Sequence, residues 1–241
     1  MCFSVEVERE IKHLLRKFMA QQSLKDEELY LALVQKGSDH EWAKSFLNLK
    51  RRPTQNPFRG PDDDGRIYPG TFTQVMVIED GKRLFKPMRY RLRPRGSKEE
   101  IPSKFNVFNA RLDSLEIRQT WKPLFMRQHG LFPFKRFYEW VEDGGKKRLI
   151  SFAPDSSELM WAPCLWDQWV HPTSGESFYT FALLTDDPPA EVLALGHDRC
   201  PIFLSEGLID QWLTPSLRTK SDMYDLLKTK EKVFYHHAWA A

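Results

Sequence analysis

Hydrophobic and polar residues alternate over several short stretches of this chain, with the two-residue period of a β-strand that buries one face. Two loops between such stretches are typical of β-hairpins. They are Glu79-Asp80-Gly81-Lys82 and the segment EDGGKK, which begins at Glu142. The predicted strands are Cys2 to Val7, Phe72 to Ile78, Leu84 to Leu92, Phe132 to Val141, Arg148 to Ala153, Met160 to Trp166, Phe178 to Thr185, and the segment HDRCPIFL after Gly196.

Apolar residues recur at helical spacing in other segments. From Glu8 to Ala20 they lie opposite a row of Lys and Arg side chains, which predicts an amphipathic helix packed on the core. Ser23 and Gly37 are typical of the start and end of a second helix. The Pro-, Gly- and Asp-rich segment from Arg51 to Gly70 is predicted as a long surface loop. Further helices are predicted at His40 to Leu49, Thr120 to Gln128, Asp187 to Leu195, Ser205 to Leu213 and Ser221 to Lys228.

The order of these elements indicates the fold class. Strands follow one another in hairpins and do not alternate with helices, so we predict an α+β fold with a mainly antiparallel, barrel-like β core and peripheral helices. A chain of 241 residues can bury one large core, and we expect a single domain over residues 1 to 241.

Composition excludes several classes of protein. Hydrophobic residues make up 41% of the chain and charged residues 29%, which is typical of a globular protein and not of a disordered or collagen-like one. The apolar runs are shorter than a membrane span and the first residues become charged at once, so we expect no signal peptide, no membrane contact and a cytoplasmic location. The cysteines Cys2, Cys164 and Cys200 are widely spaced, so we expect reduced thiols, no metal and no cofactor.

Positive charge is concentrated in one stretch. The net charge is only +3, but KRLFKPMRYRLRPRGSK, from Lys82 to Lys98, contains eight Lys or Arg residues and no acid. In a half-buried strand this alternation sends the cations to one face, where Arg89 and Arg91 could follow a phosphate backbone. A solvated basic face that only aids solubility is the alternative.

Three polar positions interrupt apolar strands in a way that folding alone does not require. In Asn109-Ala110-Arg111 the amide can orient an amine or carbonyl and the Arg can hold a phosphate, whereas a turn Asn beside a surface Arg is the alternative. Glu139 points either to solvent or into a desolvated pocket that would raise its pKa. His197, at a junction between helix and strand, can act as acid or base, although a lone histidine is usually structural, and Arg199 places a cation beside it.

The second residue offers a different chemistry. Removal of Met1 would leave Cys2 with a free α-amine and a free thiol on adjacent carbons. One aldehyde carbon can then react first with the amine, as a Schiff base, and next with the sulfur, which closes a five-membered thiazolidine ring. Any protein can carry Cys at this position by chance, so the dipeptide needs support from the rest of the chain.

Four separated motifs together resemble the SOS-response-associated peptidase (SRAP) family in order and spacing. They are Cys2, Asn109-Ala110-Arg111, Phe-Tyr-Glu139-Trp, and His197-Asp198-Arg199-Cys200-Pro. Weaker similarities in FKPMRYRL, LWDQW and FALLT extend the resemblance from about Gly70 to Leu213. Residues 5 to 69 resemble the family poorly, and we expect them to form an enlarged, mostly helical N-terminal region within the same domain.

The resemblance implies a sensor of abasic sites in single-stranded DNA that acts in the DNA damage response, the SOS response in bacteria. It implies that the protein's own peptidase activity removes Met1 and that the exposed Cys2 forms a thiazolidine crosslink with the ring-opened sugar of the lesion. A lyase activity at the abasic site is a further expectation. We expect a monomer that associates with DNA.

Roles for the other motif residues also follow from the resemblance. Asn109 would position the amine of Cys2, and Glu139 would manage protons during ring opening and Schiff-base formation. His197 would assist opening of the sugar and reversal of the crosslink. Phosphates flanking the lesion would be held by Arg111 and Arg199, with Arg89 and Arg91 of the basic strand as further DNA contacts.

The sequence departs from the family pattern at three places. The usual N-terminal Met-Cys-Gly-Arg reads Met-Cys-Phe-Ser, so a phosphate contact from a fourth-residue Arg is missing. The Trp that commonly follows the basic strand and acts as a wedge against the DNA bases is replaced by RLRPRGS, which leaves open how a flanking base is stacked. Cys200 stands where the family usually has Met, which we interpret as a packing change.

Two other classes of function remain open at this point. The same residues could serve a thiol peptidase or amidohydrolase, with Cys2 as nucleophile, His197 as base and Asn109 as the orienting group. A nucleic-acid-binding module without chemistry would need only the basic strand and its aromatic residues.

Overall fold

The computed structural model of the chain describes residues 4–40, 42–43, 56–155 and 159–240. The strands within these ranges form one five-stranded and one eight-stranded sheet. In chain order they are β1 Ser4–Glu6, β2 Gln21–Gln22, β3 Arg66–Ile67, β4 Phe72–Glu79, β5 Lys82–Tyr90, β6 Asn109–Arg111, β7 His129–Phe134, β8 Arg136–Asp143, β9 Lys146–Pro154, β10 Met160–Val170, β11 Ser177–Asp186, β12 Cys200–Pro201 and β13 Tyr235–Trp239.

The helices of the described chain are short and lie outside the sheets. The last of them begins with a capping box, in which Thr219 and Asp222 each accept a hydrogen bond from the other's backbone N–H. The α-helices are α1 Ile11–Lys17, α2 Leu24–Lys36, α3 Ala190–Leu193, α4 Ile209–Leu213 and α5 Lys220–Lys228, and 3₁₀ turns occur at Gly37–Asp39, Leu112–Ser114, Glu206–Leu208 and Pro215–Leu217.

The eight-stranded sheet closes on itself. Antiparallel pairing runs in the order β11, β10, β7, β4, β5, and β5 then pairs in parallel with β11, with Met88 opposite Tyr179 and Tyr90 opposite Phe181. These five strands form a barrel, and closure removes the exposed sheet edges that they would otherwise have. The short strand β6 also pairs in parallel with β11. The predicted α+β fold with a barrel-like, mainly antiparallel core is confirmed.

Aromatic rings fill the barrel. The ring of Phe181 lies 5.2 Å from that of Tyr90 and 5.0 Å from that of Phe132, and all three side chains are buried.

The predicted hairpin between β4 and β5 is also confirmed. Its turn residues Asp80 and Gly81 have φ values of 49° and 72°, the left-handed conformations of a two-residue turn that matches strand twist.

The five-stranded sheet has the order β13, β9, β8, β1, β3 and lies beside the barrel. The sequence predicted one strand from Phe132 to Val141, which is wrong in one respect, because the chain leaves the barrel between β7 and β8. At that break the N–H of Lys135 donates to the carbonyl of Glu6 at 2.7 Å, so the backbone changes its partner from the barrel to β1. The β8–β9 hairpin, with Gly144 and Gly145 at positive φ, agrees with the prediction.

Two element predictions are corrected, and one strand was missed. The helix predicted from Thr120 to Gln128 is a succession of turns, since Leu124 and Phe125 both donate to the carbonyl of Trp121 and Met126 has a φ of 72°. The strand predicted from HDRCPIFL is reduced to β12, and β13 was not predicted at all. Most of the helix predicted from His40 to Leu49 lies outside the described residues, whereas α1 and α2 agree with their predictions.

In the part of the chain that the structure describes, no helix combines the length and the apolar character needed to cross a bilayer. Cys164 and Cys200 are buried free thiols. Over the same residues, no group of three or more His, Cys, Asp or Glu side chains is placed to hold a metal ion.

Candidate functional site

Glu139 lies in the interior, and this settles the choice that strand alternation had left open. It shares the inner face of β8 with Phe137 and Val141, both buried, whereas the neighbouring Trp140 is half exposed on the outer face. Only 3% of Glu139 is exposed to solvent. A carboxylate held in this way exchanges protons with neighbouring groups and little with bulk water.

His197 faces the same carboxylate. The left-handed Gly196, with a φ of 86°, ends the turn after α3 and sends the chain back toward the sheet. The Nδ1 atom of His197 lies 3.7 Å from the Oε2 atom of Glu139. Burial lowers the pKa of His197 to about 4, so the ring is neutral at pH 7 and the contact joins a neutral imidazole to a carboxyl group.

Asn109 is fixed in orientation by a residue that the sequence did not single out. The hydroxyl of Tyr90 donates to the Oδ1 atom of Asn109 at 3.1 Å and holds the amide in place. Asn106 starts the strand, because its side-chain oxygen accepts from the N–H groups of Phe108 and Asn109. Both Tyr90 and Asn109 are buried. This role of Tyr90 depends on the hydrogen bond between β5 and β6, which the sequence pattern does not indicate.

A cleft of about 530 Å³ opens beside Asn109. Its walls come from β6 and the loop before it, from the turns that follow β6, and from the segment after His197. Four cations and one carboxylate line it, namely Lys104, Arg111, Arg118, Arg199 and Asp198. The balance of charge in this concave surface therefore favours an anionic ligand.

Arg111 and Arg199 have carboxylate partners on the protein surface. The Nε atom of Arg111 donates to Asp113 at 3.1 Å, and an Nη atom of Arg199 donates to Asp187 at 2.8 Å. Both aspartates are exposed, so each pair is worth little in water and a phosphate can replace the carboxylate at small cost. The structure thus brings Asn109, Arg111 and Arg199 to one cleft.

Arg89 and Arg91 correct the expected set of DNA contacts. Both side chains are buried, and both donate to the carboxylate of Glu100, at 3.0 and 3.1 Å. The buried Arg93 lies within 3.7 Å of the same carboxylate. The alternation of β5 does send these cations to one face, but the loop that carries Glu100 covers that face, so they hold the loop and do not reach a phosphate.

Cys2 lies outside the described residues. The first described residue, Ser4, is buried and pairs with Tyr138, the neighbour of Glu139 on β8. The predicted strand at the start of the chain is confirmed for β1, where it is described.

Sequence reasoning also missed two cations of the cleft, Lys104 and Arg118. Lys104 precedes Asn109 by five residues and Arg118 follows it by nine, in segments without regular structure. Proximity to the Asn-Ala-Arg motif was the only signal for them, because no periodicity indicates the direction of a loop side chain.

The chain matches the family model described as SOS response associated peptidase (SRAP) over residues 33–238. Among curated relatives, the abasic site processing protein HMCES of Gallus gallus is 26% identical over 217 residues, which cover 81% of this chain and 63% of that protein. The chain therefore spans less than two thirds of that relative's length. The abasic site processing protein YoqW of Bacillus subtilis is 28% identical over 157 residues, which cover 64% of this chain and 68% of that protein.

Solved structures support the same fold. A protein from Bacteroides thetaiotaomicron superposes with a TM-score of 0.71 at 16% identity, over 100% of this chain and 92% of that one. A protein from Bordetella bronchiseptica gives a TM-score of 0.70 at 17% identity, over 100% of both chains. Since the family model matches well over half of its length, this chain belongs to the SOS response associated peptidase (SRAP) family.

Proposed function

We propose that this protein processes abasic sites in single-stranded DNA and captures the ring-opened sugar covalently through Cys2. The observation that carries the proposal is the contact between the buried Glu139 and a neutral His197. Tyr138, which precedes Glu139 on β8, pairs with Ser4 on β1, two positions after Cys2. The names of the curated relatives, abasic site processing proteins, support the same substrate.

The length of the chain limits how far Cys2 can lie from this pair. Only Phe3 stands between Cys2 and Ser4, and the two α-carbons, two residue steps apart, are separated by at most about 7 Å in a fully extended chain. Ser4 is opposite Tyr138, which adjoins Glu139. A tether of this length permits the thiol and the amine of Cys2 to approach the Glu139 carboxylate, as the proposal requires.

The proposed reaction is a condensation with the loss of one water molecule. The α-amine of Cys2 adds to the sugar aldehyde, and the hydroxyl of the adduct leaves as water to give an imine. The sulfur then adds to the imine carbon, and the proton of the thiol passes to the nitrogen. The product is a thiazolidine that joins the DNA sugar to the protein.

Glu139 and His197 divide the proton transfers in this scheme. The carboxylate of Glu139 accepts a proton from the attacking amine and returns it to the hydroxyl that leaves. His197, which is neutral at pH 7, accepts the proton of the sugar's anomeric hydroxyl and gives a proton to the ring oxygen, which becomes a hydroxyl as its bond to the anomeric carbon breaks. Asn109, oriented by Tyr90, holds the amine, and Arg111 and Arg199 hold phosphates on either side of the lesion.

The test uses protein whose loss of Met1 has been verified by intact mass. Incubation with a single-stranded oligonucleotide that carries one abasic site should add the mass of the oligonucleotide minus one water. The same oligonucleotide without the lesion is the control, and the Cys2→Ala variant should form no stable adduct. A Cys2→Ala variant that still forms the stable adduct would contradict the mechanism.

A thiol peptidase is the second candidate, because the contact of His197 with Glu139 is a pairing of imidazole and carboxylate that nucleophilic hydrolases also use. It requires turnover of a peptide in trans, with Cys2 and His197 both needed. Peptide cleavage that depends on Cys2, together with no adduct on abasic DNA, would favour the peptidase. Removal of Met1 alone is consistent with the crosslinking reaction.

A further inference from the structure

One aromatic side chain in the wall of the cleft is unusually exposed. Half of the surface of Phe105 is open to solvent, and among the described phenylalanines only Phe234 is comparably exposed. Phe105 lines the cleft together with Asn109 and Arg111. A large ring that contributes nothing to the core and faces a concave basic surface is available to contact a ligand there.

Two cations that line the same cleft form no ion pair among the described residues. The ammonium group of Lys104 lies 5.1 Å from the centre of the Phe105 ring. Arg118 lines the same cleft. Within the described chain neither Lys104 nor Arg118 forms an ion pair, in contrast to Arg111 and Arg199. Over the residues that the structure describes, these two cations are therefore not held by a direct contact with a carboxylate.

We infer that Phe105, Lys104 and Arg118 form a nucleotide subsite, in which the ring stacks on an unpaired base and the two cations hold its phosphates. The inference rests on the proposed function, and it assigns to this subsite a nucleotide that flanks the abasic site. An aromatic face between cations is the arrangement that binds single-stranded nucleic acid without regard to sequence. Stacking requires an unpaired base, so the subsite also accounts for a preference for single strands.

The test measures binding of an undamaged single-stranded oligonucleotide, so it does not depend on the covalent step. Phe105→Ala should weaken the affinity about 10-fold, within the range for removal of one base-stacking aromatic. Phe105→Trp should keep the affinity, and Phe234→Ala is the matched control, an exposed Phe outside the cleft that should have no effect. Because Phe105 is exposed, its truncation leaves no core cavity, and an unchanged melting temperature checks this.

Stacking and charge can be separated with two further measurements. An oligonucleotide with a fluorescent base analogue next to the abasic site should be quenched by the wild type and Phe105→Trp but not by Phe105→Ala. The double variant Lys104→Gln with Arg118→Gln should lower the salt dependence of binding, whereas Phe105→Ala should leave that dependence unchanged. Equal affinity and equal quenching in Phe105→Ala and Phe234→Ala would overturn the subsite.

The outcome also distinguishes the subsite from the proposed function. If the wild type binds in a Phe105-dependent way but forms no adduct with abasic DNA, the subsite stands and the crosslinking proposal fails. If the adduct forms at the same rate and with the same DNA affinity in Phe105→Ala, the crosslinking proposal stands and the subsite fails.

Discussion

His129 and His197 are both buried, and burial lowers the pKa of each to about 4. His197 faces the candidate site, but His129 has a structural environment. The Nδ1–H of His129 donates to the carbonyl of Trp212 at 2.8 Å, and its Nε2 accepts the N–H of Met126 at 3.1 Å. Protonation of Nε2 would place two hydrogens in that second contact, so the fold holds the ring neutral.

The free energy of unfolding is therefore expected to decrease as the pH is lowered. An unfolded histidine titrates near pH 6.5 and the folded His129 near pH 4, so the unfolded state binds the extra proton and stability is lost as the pH falls between these values. From pH 7 to pH 5 the loss should be about 2 kcal/mol for this residue.

Urea unfolding at both pH values checks this expectation. His129→Gln should be less stable at pH 7 but should lose less stability than the wild type on acidification. The exposed His237→Gln is the control and should follow the wild type. An identical loss in the wild type and His129→Gln would exclude His129 as the source.

A second residue-scale prediction concerns Glu139. Glu139→Gln keeps the shape and the hydrogen-bonding capacity of the side chain but cannot exchange a proton. We expect the rate of adduct formation with abasic DNA to fall about 100-fold, the usual contribution of general acid–base catalysis. Glu142→Gln, an exposed change on the same strand, should have no effect. The measurement is the time course of adduct formation on a denaturing gel, and equal rates for the two variants would count against a proton-transfer role.

At the scale of elements, strand β5 shows how one alternating strand serves two purposes. Tyr90 points into the barrel, where it holds Asn109, while Arg89 and Arg91 point to the other side and bind Glu100. The basic strand therefore forms part of the barrel wall and also binds the loop that follows it, through ion pairs with Glu100. Arg89 and Arg91 are paired within the fold.

Loss of Glu100 should accordingly be costly. Glu100→Gln removes the carboxylate charge that faces three buried guanidinium groups, and we expect a destabilisation of about 3 kcal/mol. Glu99→Gln, an exposed change at the neighbouring residue, should stay within about 0.5 kcal/mol of the wild type. Thermal or urea unfolding measures both, and comparable stability of the two variants would mean that solvent already screens the cluster.

At the scale of the whole molecule, the cleft is assembled from segments that are far apart in the sequence. The parallel pairing of β11 with both β5 and β6 places Asn109 beside Leu183, and the antiparallel pairing of β11 with β12 brings in the segment that carries His197 and Arg199. Closure of the barrel therefore creates the site. The charge in the cleft is a property of the assembled fold.

The salt dependence of DNA binding tests that charge. Arg111→Gln and Arg199→Gln should each lower the slope of log affinity against log salt concentration by about 0.7, the value for one phosphate contact on a single strand. Arg148→Gln removes an exposed cation with a similar surface carboxylate partner on the β8–β9 hairpin, and it should leave the slope unchanged. If all three variants kept the slope of the wild type, the DNA would bind elsewhere on the surface.

The sequence by itself determined those features that depend on neighbours along the chain. Asp-Gly and Gly-Gly turn residues indicated the β4–β5 and β8–β9 hairpins, and they do adopt the left-handed backbone conformation. The polar interruptions at Asn109, Glu139 and His197 indicated positions that the fold does bury. Local pattern suffices here because a turn or an alternating face is set by residues only a few positions apart.

Only the tertiary structure decided the direction and partners of the side chains. The partner of Arg89 and Arg91 is a glutamate on a loop that folds back over the strand, and the partner of Glu139 comes from a distant turn. The segment from Thr120, predicted as a helix, forms turns that help to line the cleft. Burial, charge pairing and pKa depend on distances in space, and these arise when the barrel closes through its parallel strands.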